Sequence, residues 1–112
     1  MIREYKQRAV FYIPSELIEP LKTIAFKKGL IRGGEGAISL YISTLIMDDL
    51  ENRYPILPIN YSDSDIKKYN VTLPDKVRKQ MDNRAKELGF YRGSRGNLNK
   101  YVINLIYYTL QQ

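Results

Sequence analysis

The sequence contains no cysteine and no histidine. That excludes disulfides, a Cys/His metal centre, a thiol nucleophile and an imidazole base. No cluster of carboxylates takes their place, so no constellation for catalysis is left. The chain reads as a non-enzyme with no cofactor, no metal and no small-molecule ligand. No apolar run approaches the ~18 residues needed to cross a bilayer. The stretch Met1 to Gln7 is charged rather than apolar. A protein without membrane contact, cytoplasmic by default, is expected.

What is present is an excess of positive charge and a repeat. Lys and Arg number 18 against 12 Asp and Glu, a formal net charge of +6 over 112 residues, and 44% of the residues are hydrophobic. This is enough apolar material for one core, and the charge makes a polyanion the first partner to consider. At an offset of 60 residues Pro14 falls on Pro74, Ala25 on Ala85, Gly29 on Gly89 and Arg32-Gly33 on Arg92-Gly93. Gly36 falls on Gly96, Tyr41 on Tyr101, Leu45-Ile46 on Leu105-Ile106 and Leu50 on Leu110. No gap is needed between Val10/Asn70 and Leu50/Leu110. A unit of roughly 45 residues is too small to bury a stable core alone, so the two copies are expected to complete each other.

The second copy is the cleaner. Lys68-Tyr69-Asn70-Val71-Thr72-Leu73 alternates polar and apolar, the period of a strand with Tyr69, Val71 and Leu73 facing a core. Pro74 has no N–H for a ladder and suits the start of a helix. Val77, Met81, Ala85 and Leu88 then recur at helical spacing up to Gly89, a natural stop. After a loop, Leu98, Tyr101, Val102, Leu105, Ile106 and Thr109 mark a second helix running to about Leu110. In the first copy the strand from Arg8 to Ile13 is apolar on both faces. Only the alignment fixes its phase: Ala9, Phe11 and Ile13 inward, Arg8, Val10 and Tyr12 outward. Ser15 is expected to cap a helix carrying Leu17, Leu21, Ile24 and Ala25 to Gly29, with Pro20 costing it a hydrogen bond or a bend. A second helix carries Ile38, Tyr41, Ile42, Leu45, Ile46 and Leu50. The expectation is one domain over 1–112, with units at 8–52 and 68–112 joined by a linker at 53–67.

Each unit has a single strand whose backbone groups need a partner, and the only equivalent strand is in the other copy. Pairing them about a pseudo-two-fold axis gives a mainly α fold: a two-stranded antiparallel β-ribbon over four helices. The order strand ending in Leu73-Pro74 (Ile13-Pro14), helix ending Glu87-Leu88-Gly89-Phe90 (Lys28-Gly29-Leu30), and Arg92-Gly93 to Gly96-Asn97-Leu98 resembles the ribbon-helix-helix family of DNA-binding proteins. Most members have one unit and dimerise. This chain resembles a fused, tandem version, similar to regulators of archaeal viruses and plasmids.

The resemblance implies a transcriptional regulator, repressor or activator, that inserts its ribbon in the major groove of double-stranded DNA. The base-reading residues it implies are Arg8, Val10 and Tyr12 from one strand and Lys68, Asn70 and Thr72 from the other. Their chemistry suits contact with base edges, with Arg or Lys on guanine, Asn70 on adenine, and the Val10 or Thr72 methyls on a thymine methyl. The resemblance also implies phosphate binding at the start of the second helix of each unit. The residues concerned are Arg32, Gly33 and Gly34 in the first copy and Arg92, Gly93, Ser94 and Arg95 in the second. Glu35 stands where Arg95 stands in the other copy.

Leu40 and Met47, with Ile103 and Tyr107, lie off the main apolar stripe of the long helices. As exposed residues they would form a contact between molecules bound side by side on DNA. Two other readings compete. One is a non-specific, cooperative DNA-coating protein. The other is a protein-interaction module resembling antitoxins, for which Tyr54-Pro55-Ile56-Leu57-Pro58 is the obvious extra segment.

Overall fold

The computed structural model describes residues 6–61 and 65–112. Ser62, Asp63 and Ser64 of the expected linker lie outside them. Strand β1 (Lys6–Pro14) leads through a short 3-10 turn (Ser15–Leu17) into α1 (Ile18–Lys27). A two-residue strand β2 (Ile31–Arg32) turns back into β3 (Glu35–Gly36) before α2 (Ile38–Asn52). The second unit repeats the plan: β4 (Ile66–Pro74), α3 (Asp75–Glu87), β5 (Tyr91–Arg92), β6 (Arg95–Gly96) and α4 (Leu98–Leu110).

β1 and β4 pair antiparallel from Lys6↔Pro74 to Pro14↔Ile66. Val10 lies opposite Asn70, the residue 60 positions on, so the ladder is centred on a pair that the sequence repeat aligns. The inward phase is as the alignment predicts: Ala9, Phe11, Ile13, Val71 and Leu73 are all buried, while Tyr69 is half-buried. Beneath them the apolar faces of the four helices share one cluster, including Leu21, Ile42, Met81 and Val102. The fold is thus mixed α/β, four helices with small antiparallel sheets, and neither unit has a core of its own.

Gly29 and Gly89 end α1 and α3 at φ +78 and +82. In each the next N–H reaches back across the last turn, Leu30 to the Ala25 carbonyl at 2.9 Å and Phe90 to that of Ala85 at 2.8 Å. This is the Schellman closure that glycine's freedom at positive φ permits. Ser15 does not cap α1. It belongs to the 3-10 turn, and its N–H bonds the Asp65 carbonyl at 3.0 Å. Because α1 starts at Ile18, Pro20 is its third residue, where a missing N–H removes no intrahelical bond.

A buried ion pair stitches the units together. Asp49 at the end of α2, fully buried, accepts from Arg84 Nε at 3.0 Å and Nη2 at 3.1 Å. It also accepts from the Tyr101 hydroxyl at 2.5 Å and the Tyr54 N–H at 3.0 Å. Arg84 Nη2 donates to the Tyr54 carbonyl at 2.6 Å. Tyr101 lies 60 residues after Tyr41, yet Thr109 and Ile24 stand where Asp49 and Arg84 would be in the other half. There the Tyr41 hydroxyl, buried, has no hydrogen-bond partner among the described residues.

The expected linker is not a loose tether. Ile56 is buried in the common cluster, and the Ile59 N–H donates to Asn104 Oδ1 on α4 at 2.7 Å. Tyr54 stacks on Tyr108 at 5.5 Å between ring centroids, and Tyr61 on Tyr107 at 6.2 Å. This corrects the expected intermolecular stripe. Ile103 is only 1% exposed, and Tyr107 is half-buried with its hydroxyl donating to Glu16. The chain segment laid along α4 puts the Tyr61 ring on Tyr107, and Ile103 belongs to the common core. On α2, among the described residues, Leu40 and Met47 are 39% and 45% exposed.

Candidate nucleic-acid interface

Strand alternation sends every second side chain of the ribbon away from the core. Arg8, Val10 and Tyr12 on β1 and Lys68, Asn70 and Thr72 on β4 are all exposed. The register brings them together as cross-strand pairs Arg8↔Thr72, Val10↔Asn70 and Tyr12↔Lys68. Ile66, also outward and 44% exposed, extends the row on β4. The face therefore offers cationic donors at opposite corners, an amide at its centre, and methyl groups at Val10 and Thr72.

The glycine stretches before α2 and α4 form β-hairpins, not loops. Ile31↔Gly36 and Arg32↔Glu35 pair in one, Tyr91↔Gly96 and Arg92↔Arg95 in the other. Gly33 and Gly34, at φ +60 and +80, make a tip that needs two left-handed residues, and Gly93 at +64 opens the other tip ahead of Ser94. The structure thus places Gly33, Gly34, Gly93 and Ser94 at hairpin tips and not at the start of the second helices, where the resemblance implies a phosphate site. Two-residue strands carry too short an alternation to be seen in a sequence. At the start of α4 the Lys100 N–H is taken by the Asn97 side chain at 3.0 Å; Ala37 provides no side-chain cap to α2.

Each hairpin is held against the preceding helix by its last glycine. A Cβ on Gly36 would lie 2.0 Å from the Lys22 carbonyl oxygen, and one on Gly96 2.5 Å from that of Asp82. Asp82 also accepts the Gly96 N–H at 2.6 Å, and this bond, with Lys86 at 3.1 Å, holds its carboxyl below the usual range.

Between β1 and the second unit runs an open groove of about 1100 Å³. Its walls carry Lys76, Arg78 and Lys79 from α3 and Arg92 and Arg95 from the β5–β6 hairpin, and Val10 and Tyr12 join it to the ribbon face. Asn99 closes its floor: the Tyr12 N–H donates to Asn99 Oδ1 at 2.7 Å, and Asn99 Nδ2 donates to the Tyr12 carbonyl at 3.2 Å. The free edge of β1 is thereby fixed to the first turn of α4.

Lys76, Arg78, Lys79 and Asn99 are groove residues that the sequence pattern did not single out. A signal for the first three existed. Cations in the first turns of a helix oppose its macrodipole, so their clustering behind Pro74 calls for a reason other than helix stability. Nothing in the sequence marks Asn99, whose role depends on the distant strand. Among the described residues no helix is long and apolar enough to cross a membrane, and no group of acidic residues could hold a metal ion. No family model, curated protein or solved structure matches the chain.

Proposed function

We propose that this chain binds specific double-stranded DNA by laying the β1/β4 ribbon in the major groove, as a single-chain pseudo-dimer of ribbon-helix-helix units, and so regulates transcription. One observation carries the reading. The outward residues form cross-strand pairs on a solvent face whose opposite side is the core. A two-stranded ribbon fits a major groove ~12 Å wide, and these side chains include the donors, amide and methyls that distinguish base pairs there. The cationic groove beside β1 supports it by offering a place for phosphates.

The two strands differ at every outward pair, so the DNA core they read is non-palindromic. Selection of bound duplexes from a random pool is the test, run with the natural chain and with Asn70→Ala. The natural chain is expected to select an asymmetric motif. Asn70→Ala relaxes one base position and costs about 1–3 kcal/mol of binding. An unchanged motif in Asn70→Ala refutes the assigned reader. On α2, Leu40 and Met47 support contact between molecules side by side on DNA, through the first unit alone. Its readout is a footprint that spreads as protein concentration rises.

A further inference from the structure

The positions that line the groove beside β1 have counterparts beside β4, 60 residues earlier. The two shoulders do not carry the same charge. Beside β1 stand the five cations Lys76, Arg78, Lys79, Arg92 and Arg95 against the two carboxylates Asp75 and Asp82, a net of +3. At the matching positions of the first unit stand Glu16, Ile18, Glu19, Arg32 and Glu35, with Ser15 and Lys22 for the two aspartates. Two cations against three carboxylates leave a net of −1.

The shoulders repeat their packing, although Ser15 and Glu16 lie in a 3-10 turn where Asp75 and Lys76 open α3, and Glu16 accepts from the Tyr107 hydroxyl. α2 packs on β4 as α4 packs on β1, and each hairpin sits on the backbone of its own first helix. Tyr69 on β4 fits the same placement: burial raises its hydroxyl, and Lys22 and Glu19 of α1 both act on it. The state of the charges differs as well as their sign. Lys22 lies 3.8 Å from Glu19 and 4.0 Å from Glu35, and those two glutamates are 83% and 72% exposed. Beside β1, among the described residues, no ion pair engages Arg78, Lys79, Arg92 or Arg95.

A duplex carries about one phosphate charge per 1.7 Å of axis, and exposed charges act on it over ~10 Å at 0.1 M salt. We infer that DNA lying on the ribbon is held by its phosphates along the β1 edge alone. Lys76, Arg78, Lys79, Arg92 and Arg95 form that grip, while Glu16, Glu19 and Glu35 turn the backbone away from the β4 edge. The inference rests on the DNA reading and goes beyond it. A tandem protein with two equal shoulders would hold both flanks of its site. This one needs duplex on one side of the bases it reads and is indifferent to the other.

The test uses the full chain and its selected duplex, shortened stepwise from either end and followed by fluorescence anisotropy at several salt concentrations. Removing about half a helical turn from one end is expected to weaken binding at least tenfold, and from the other end less than twofold. The Arg78→Ala/Lys79→Ala variant is expected to weaken binding about tenfold and to flatten the salt slope by about 2. The Glu19→Lys/Glu35→Lys variant builds a second grip: tighter binding by about tenfold, a slope steeper by about 2, and equal sensitivity at both ends. All four positions are exposed, so thermal unfolding confirms that each variant is folded. Equal losses from both ends in the natural chain, with tight and sequence-specific binding, overturn the one-sided grip and leave the DNA reading standing. Glu19→Lys/Glu35→Lys with unchanged end dependence overturns it too. Failure to bind any duplex overturns the DNA reading itself, and this inference with it.

Discussion

Tyr41 and Tyr101 hold the same place in the two units, and removing their hydroxyls is expected to move stability in opposite directions. Both rings are buried, 1% and 0% exposed, and Phe keeps each ring. The Tyr101 hydroxyl is one of several donors to the buried Asp49 carboxylate. A hydrogen bond to a charged acceptor contributes about 1.5–3 kcal/mol, so Tyr101→Phe costs about 2 kcal/mol while Arg84 keeps the carboxylate paired. The Tyr41 hydroxyl is buried with no partner among the described residues. Burying such a group costs about 1–3 kcal/mol in proteins, so Tyr41→Phe adds about 1 kcal/mol. The gap of about 3 kcal/mol amounts to roughly 12 °C in Tm at about 4 °C per kcal/mol for a domain of this size. Thermal and urea unfolding of the two variants beside the natural chain measures it. A Tyr41→Phe variant that loses as much as Tyr101→Phe would show that the Tyr41 hydroxyl is satisfied, and the reasoning from broken symmetry would fall.

Three further outcomes follow from the same geometry. Arg84→Met strands the Asp49 carboxylate in the core and costs about 3–5 kcal/mol near neutral pH. Urea unfolding of the variant beside the natural chain reads the loss directly. Gly96→Ala forces the β5–β6 hairpin off the α3 backbone, with a loss of at least about 2 kcal/mol in thermal unfolding, whereas Gly93→Ala adds strain at the tip without a collision. Asn99→Ala releases the outer edge of β1, and the Tyr12 amide then exchanges at least about tenfold faster in hydrogen exchange.

The alternation at Lys68–Leu73 and the helical spacings after it were enough to place β4, α3 and α4. β1 was legible only through its partner, because apolar residues on both faces give no phase of their own. The outward residues followed from that phase. What escaped was whatever depends on contact between distant segments. Asp49 and Arg84 read as ordinary charges on helix surfaces until folding brings them together across 35 residues. Tyr107 read as exposed because nothing in α4 announces that residues after Arg53 lie along it. Lys76, Arg78 and Lys79 lay in a helix whose face toward the ribbon is set by the strand of the other unit.

The ribbon's two strands lie on one chain, and this sets how the protein behaves on dilution. A ribbon made by two separate molecules comes apart when their concentration falls below the dissociation constant of the pair. Here β1 and β4 meet across about sixty residues of the same backbone, so their local concentration is fixed by chain length, not by abundance. A few copies in a large volume present the same paired surface as many. Folding carries the corresponding burden, since the pairing of β1 waits for a strand far along the chain.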